Sequence, residues 1–129
     1  MAIVLYGPGR TLQRAVLVAD PDAHRGQALA CALARDDLHV DVVSSAETLL
    51  ARLLRAPYPD VLVLDTALAS PELAEQLWSR HLDGVRVIAL ADSLETSLGV
   101  GFRNGLAGYF VSPDAGVRAS MTTLALRIA

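Results

Sequence analysis

Runs of apolar residues alternate with stretches of helical periodicity along almost the whole chain. Ala15-Val16-Leu17-Val18-Ala19 is an unbroken apolar run that ends in Asp20-Pro21-Asp22. Val61-Leu62-Val63-Leu64 is another, entered through Pro59-Asp60 and closed by Asp65. Runs without polar alternation predict strands buried on both faces, as in the middle of a parallel sheet. Weaker strands are expected near 39–43, 85–90 and 107–111, with Asp41 marking the second as a less buried, edge-like strand. Between them the period changes to helical. Ala28, Leu29, Ala32 and Leu33 form one stripe after an N-cap at Asp22, and Leu49, Leu50, Leu53 and Leu54 form another after Ser45. Ser70-Pro71-Glu72 opens a third helix, with Leu73 and Leu77 inward. Ser93 opens a fourth, which runs to about Arg103 and is closed by Asn104-Gly105. Ser112-Pro113-Asp114 opens the last helix, for which the spacing predicts Val117, Met121, Leu124 and Ile128 on the inner face.

Strand and helix thus alternate five times. Right-handed crossovers between parallel strands place helices on both faces of the sheet. The expected fold is α/β: a doubly wound (βα)5 three-layer sandwich, a flavodoxin-like parallel sheet of order 2-1-3-4-5. Residues 1–14 read as an N-terminal extension or an extra edge strand, and 15–129 as the domain. The glycines at 7–9 resemble a phosphate loop only faintly, since that motif needs Gly-Lys-Ser/Thr and the chain has no lysine.

Composition narrows the function classes. The 129 residues suffice for one core, 53% of them are hydrophobic, and the formal charge is −3, which argues against a nucleic-acid footprint. No run is long enough to span a membrane, and the start lacks a signal peptide's basic region, so a cytoplasmic location is expected. Cys31, the only cysteine, reads as a small buried hydrophobe in a helix. His24, His39 and His81 share no metal-ligand spacing. No nucleophile–base set is evident, so an enzyme is not expected. The chain is either a whole protein or the first domain of a longer one.

The candidate chemistry lies in two acids. Asp20 and Asp65 end the first and third strands, which are neighbours in a 2-1-3-4-5 sheet, so both carboxylates stand at its carboxyl edge, where open α/β sheets bind ligands. Such an oxygen-rich place suits Mg²⁺, and Asp65 could accept a phosphoryl group.

With the segments 16–22, 59–65, 87–90 and 105–113 taken in order, residues 15–128 resemble the receiver domain of two-component response regulators. By that resemblance Asp65 matches the phosphoacceptor, Asp20 one acid of the metal-binding pair, and Tyr109 the switch aromatic. The departures are as informative. Pro21 replaces the second metal-binding acid, with Asp22 one residue late. Ala91 stands where a switch threonine or serine is kept, and Ser112 where a lysine is kept. The segment after Asp65 is about four residues short. The resemblance therefore implies a degenerate form in which any Mg²⁺ is weakly held by Asp20 and Asp65. A phosphoryl group on Asp65 would have no fixed protein partner beyond metal and backbone, Arg86 and Arg103 lying too far along their elements. It also implies a cis Ser112–Pro113 bond. The expected role is a phosphorylation-independent signalling module. It would act as a homodimer or on a protein partner through residues 93–128, with Leu98, Val100, Leu106 and Ala119 in an apolar strip. A DNA-binding output domain would lie outside this chain. The alternatives are a weak Mg²⁺-dependent receiver phosphorylated at Asp65, or a flavodoxin-like small enzyme or ligand-binding domain.

Overall fold

The strands form where the apolar runs predict them. In a computed structural model, which describes residues 14–35, 37–78, 84–93 and 106–128, they are β1 (Arg14–Ala19), β2 (Leu38–Val43), β3 (Val61–Asp65), β4 (Arg86–Ala91) and β5 (Leu106–Val111). All neighbours are parallel, as the alternation implies, and the order is the expected β2-β1-β3-β4-β5. β3 is central and buried along its whole length. Its Val and Leu side chains are each worth about 1.5–3 kcal/mol when taken fully out of water. Asp41 does fall on an edge strand, β2.

Four helices are described: α1 (Ala23–Leu33), α2 (Ala46–Leu53), α3 (Pro71–Trp78) and α4 (Ala115–Ile128). Their starts are capped as the sequence indicates. Asp22 accepts from the Arg25 amide, Ser45 from that of Thr48 and Ser70 from that of Leu73. Asp114 does the same for Val117 at the head of α4.

Strand alternation sends successive side chains to opposite faces and makes two cores. Leu17, Leu62, Leu64, Val87 and Ala89 meet Leu49 and Leu53 of α2 and Leu73 and Leu77 of α3. Val16, Val18, Val61, Val63, Ile88 and Leu90 meet Leu29 and Leu33 of α1 and Ala125 and Leu126 of α4. The helices thus cover both faces of the sheet.

Several side chains depart from expectation. On α4 the inward positions are Arg118, Thr122, Ala125 and Leu126, whereas Val117, Met121 and Leu124 are exposed. The helix is rotated because Arg118 has acidic partners inside and the Thr122 hydroxyl donates to the Arg118 carbonyl oxygen at 2.7 Å. Leu106 and Ala119 are partly buried against the two cores, and so leave the proposed strip. Cys31 and Leu54 are exposed. Both follow from helix phase: Leu29, Ala30 and Leu33 bury α1, and Leu49 and Leu53 bury α2, turning their neighbours outward. The cis peptide bond among the described residues is Ala56–Pro57, not Ser112–Pro113. The Ser112 amide donates to the Ala91 carbonyl oxygen at 2.8 Å, which carries the β4–β5 ladder one step past its last residue pair. The expected extension at 1–14 lies outside the described residues apart from Arg14, which begins β1. The expected helix at 93–103, with Leu98 and Val100, lies outside them beyond Ser93.

Candidate functional site

The carboxyl edge of the sheet carries three acids. Asp20 follows β1, Asp65 closes β3, and Asp92 follows β4. Asp20 and Asp65 are each 4% exposed, while the Asp92 side chain is half in water. A buried carboxylate has to be paired and hydrogen-bonded to stay ionised at tolerable cost. Here the partners are two arginines from the first turns of the two helices on one face of the sheet.

Arg25 sits in the first turn of α1. Its Nε donates to Asp20 Oδ2 at 2.7 Å and its Nη2 to Asp20 Oδ1 at 3.0 Å, a two-point fork on one carboxylate. The same Nη2 donates to Asp65 Oδ2 at 2.9 Å, and Nη1 reaches Asp92 Oδ1 at 3.2 Å. The pKa of Arg25 is raised, first by its hydrogen bond to Asp20. The charges of Asp20, Asp65 and Asp92 add to this, and partial burial opposes it. Arg118 sits in the first turn of α4, with its side chain 4% exposed. Its Nη2 donates to Asp65 Oδ2 at 2.6 Å, and its Nη1 lies 3.6 Å from Asp92 Oδ1.

Asp65 is therefore engaged at both oxygens. Oδ2 accepts from two guanidinium groups, and Oδ1 accepts from the Ala67 amide at 2.9 Å in the short 3-10 turn after β3. Sequence reasoning gives a phosphoryl group on Asp65 no fixed protein partner beyond metal and backbone and names no cationic side chain near it; Arg25 and Arg118 bind the Asp65 carboxylate itself. The other residues singled out from the sequence take quieter places. The Asp22 amide donates to Asp20 Oδ1 at 2.8 Å and the Asp22 carboxylate caps α1, so this residue shapes the turn from outside the cluster. Ala91 is fully buried at the end of β4. Ser112 Oγ accepts from the Asp114 amide at 3.1 Å at the entry to α4. Tyr109 lies on the edge strand β5 and is 39% exposed.

Sequence reasoning missed Arg25, Arg118 and Asp92. A signal for each was present. A cation in the first turn of a helix opposes the macrodipole, so it needs another reason to be there, and Arg25 and Arg118 both occupy such positions. Asp92 ends a strand just as Asp20 and Asp65 do. With three carboxylates and two guanidinium groups, the cluster carries one net negative charge and is internally connected through Arg25 and Asp65.

That donor set does not fit Mg²⁺. The ion needs oxygen ligands at about 2.0–2.1 Å in near-octahedral array. Arg25 stands between Asp20 and Asp65, binding both through N–H groups at 2.7–3.0 Å. Among the described residues, no group of three or more His, Cys, Asp or Glu side chains is arranged to hold a metal ion.

No protein-family model matches the chain, and no curated protein matches its sequence. Solved structures do match its fold. The signal receiver domain of a putative LuxO repressor protein from Vibrio parahaemolyticus superposes with a TM-score of 0.70 at 14% identity, covering 90% of this chain and 92% of that one. The N-terminal domain of a three-domain response regulator/sensory box/GGDEF protein from Carboxydothermus hydrogenoformans gives 0.69 at 18% identity, covering 89% and 95%. A CheY-like receiver domain protein from Methanospirillum hungatei gives 0.66 at 21% identity, covering 89% and 94%. At these identities the likeness is one of fold.

Proposed function

We propose that this chain is an atypical receiver domain of two-component signalling that works by protein contact and not by phosphoryl transfer. The observation that carries this reading is the double engagement of Asp65 Oδ2 by Arg25 and Arg118. In-line attack on phosphorus needs a free carboxylate lone pair and a counter-charge for the incoming oxygens. Here both lone pairs of Asp65 Oδ2 are taken by N–H donors, Oδ1 already accepts one hydrogen bond from the Ala67 amide, and the guanidinium charge is shared among Asp20, Asp65 and Asp92. The similarity in fold to receiver domains supports the signalling role, in signal transduction or transcriptional regulation and in the cytoplasm. The chain is not an enzyme in this reading. A DNA-binding output domain is the expected neighbour outside it.

The contact face lies within residues 93–128. Val117, Met121 and Leu124, spaced by one and two turns on α4, turn outward, and Val111 of β5 is exposed as well. A helix that keeps Arg118 and Thr122 inside and sets Val117, Met121 and Leu124 in water has the composition of an interface, and a second copy of the chain is the simplest partner.

Phosphotransfer is the direct test. Incubation with acetyl phosphate or beryllofluoride and Mg²⁺, read by intact mass or fluorine NMR, is expected to leave Asp65 almost unmodified. Near-complete occupancy at millimolar reagent would refute the reading in favour of a weak Mg²⁺-dependent receiver.

A further inference from the structure

Arg25 Nη2 is one nitrogen that serves two buried carboxylates. It lies 3.0 Å from Asp20 Oδ1 and 2.9 Å from Asp65 Oδ2, so a single NH₂ group bridges the acid that follows β1 and the acid that closes β3. The Nε of the same side chain holds the other Asp20 oxygen at 2.7 Å. Both acids are 4% exposed, and carboxylates buried side by side on paired strands repel each other unless a cation stands between them. α1 by itself disfavours Arg25, since a positive charge in the first turn opposes the macrodipole. The carboxylates around it offset that cost. Asp20 foremost raises its pKa, and a guanidinium is not deprotonated in a protein, so the cation is permanent.

A metal ion bridging Asp20 and Asp65 would need the space that Arg25 Nη2 fills, at ligand distances of about 2.0–2.1 Å. The rest of such a place is intact. The Ala67 amide donates to Asp65 Oδ1 and the Asp22 amide to Asp20 Oδ1, so both carboxylates are oriented by backbone donors that do not depend on Arg25. Without Arg25, the three carboxylates would be left with Arg118 as their cation, and one divalent ion offsets the two negative charges that remain. Mg²⁺ is commonly held by one or two carboxylates, because it keeps several of its waters. We infer that Arg25 is a built-in cation that takes the place of a divalent ion between Asp20 and Asp65, and that its removal uncovers a Mg²⁺ site at that acid pair. The native cluster is thereby fixed in one cation-bound state, whatever the metal supply. This rests on the same engagement of Asp65 as the proposed role, but the two fail separately: phosphotransfer is read on the native chain, and metal binding on a variant.

The test compares the native chain with Arg25→Ala and with Arg25→Ala/Asp65→Asn. Each is unfolded in urea with and without Mg²⁺, and each ¹⁵N spectrum is recorded with Mn²⁺ as a paramagnetic stand-in. Arg25→Ala is expected to bind either ion with millimolar Kd, at least about tenfold more tightly than the native chain. Mg²⁺ should raise its unfolding midpoint, or refold it where the variant is unfolded without metal. Mn²⁺ should broaden the Asp22 and Ala67 amides first. The native chain and the double variant should show neither effect. Three results would each overturn the inference: an Arg25→Ala chain, folded or unfolded, that gains nothing from Mg²⁺; a native chain that responds as strongly as this variant; or a double variant that keeps the full response, which places the ion elsewhere.

Discussion

Asp65 and Arg118 are both almost wholly buried and bonded to one another, and the worth of the pair depends on how it is broken. Two buried charges cost several kcal/mol each in lost hydration, and their attraction roughly repays this only while both are present. Arg118→Met should therefore destabilise the fold by about 3–5 kcal/mol, as a single removal from a buried pair does. The double variant Asp65→Leu/Arg118→Met should recover most of that loss, although Arg25 then faces fewer carboxylates. Urea unfolding of the two variants checks both statements, and a double variant no better than the single one would show that the cost lies elsewhere. Arg25 is more exposed, at 27% of its side chain, and Arg25→Ala should cost less. Its pKa is raised by Asp20 and its neighbours, so its stabilising share is complete below the ordinary arginine range. That share would be lost only as pH rose through the still higher folded value. Unfolding free energy should thus show no alkaline loss attributable to Arg25 at any pH where the protein is normally handled.

At the scale of elements, two contacts decide where the arginines point. α1 approaches the sheet closely at Gly26, where a Cβ would meet Val42 Cγ1 at 3.0 Å and the Asp20 Cβ at 3.4 Å. Alanine there would gain up to about 1 kcal/mol in helix propensity but must displace Val42. A longer side chain has no such compensation. Gly26→Leu should cost about 1–3 kcal/mol by overpacking. It should also pull Arg25 off Asp20, visible as a loss of protection at the Arg25 side-chain resonance. α4 is the second case. Its phase is fixed by Arg118 and Thr122 inside, and the consequence is an outer stripe of Val117, Met121 and Leu124. Met121→Asp or Leu124→Asp should leave thermal stability within about 0.5 kcal/mol, as exposed substitutions do, while abolishing self-association.

For the whole molecule, the same features favour a permanent over a switched assembly. The acid cluster is held by the chain's own cations, so no bound phosphoryl group is needed to fix α4 against the sheet. An interface made by the outer α4 stripe and β5 would be driven by apolar burial, Arg118 being turned inward. Salt should then affect it little. Sedimentation at 10–100 μM in low and high salt should give a dimer of about the same strength in both. A monomer throughout would reject self-association, and a dimer dissolved by salt would reject its apolar character. No helix among the described residues is long and apolar enough to cross a membrane.

The sequence by itself determined the strands and the strand-end positions of Asp20 and Asp65. Those features are local: an unbroken apolar run, a cap and a strand-end acid each act within a few residues. The caps at Asp22, Ser45 and Ser70 were legible for the same reason. What only the tertiary structure decided is which cations meet the acids and which side of the last helix is inner. Arg25 lies 40 positions from Asp65 and Arg118 lies 53 away, so their convergence depends on two helices starting at the same sheet edge. Periodicity assigned Val117, Met121 and Leu124 of α4 to the core because it counts Arg118 and Thr122 as polar. In the folded chain each has its partner inside, and a charge or hydroxyl that is satisfied in the interior no longer marks the outer face.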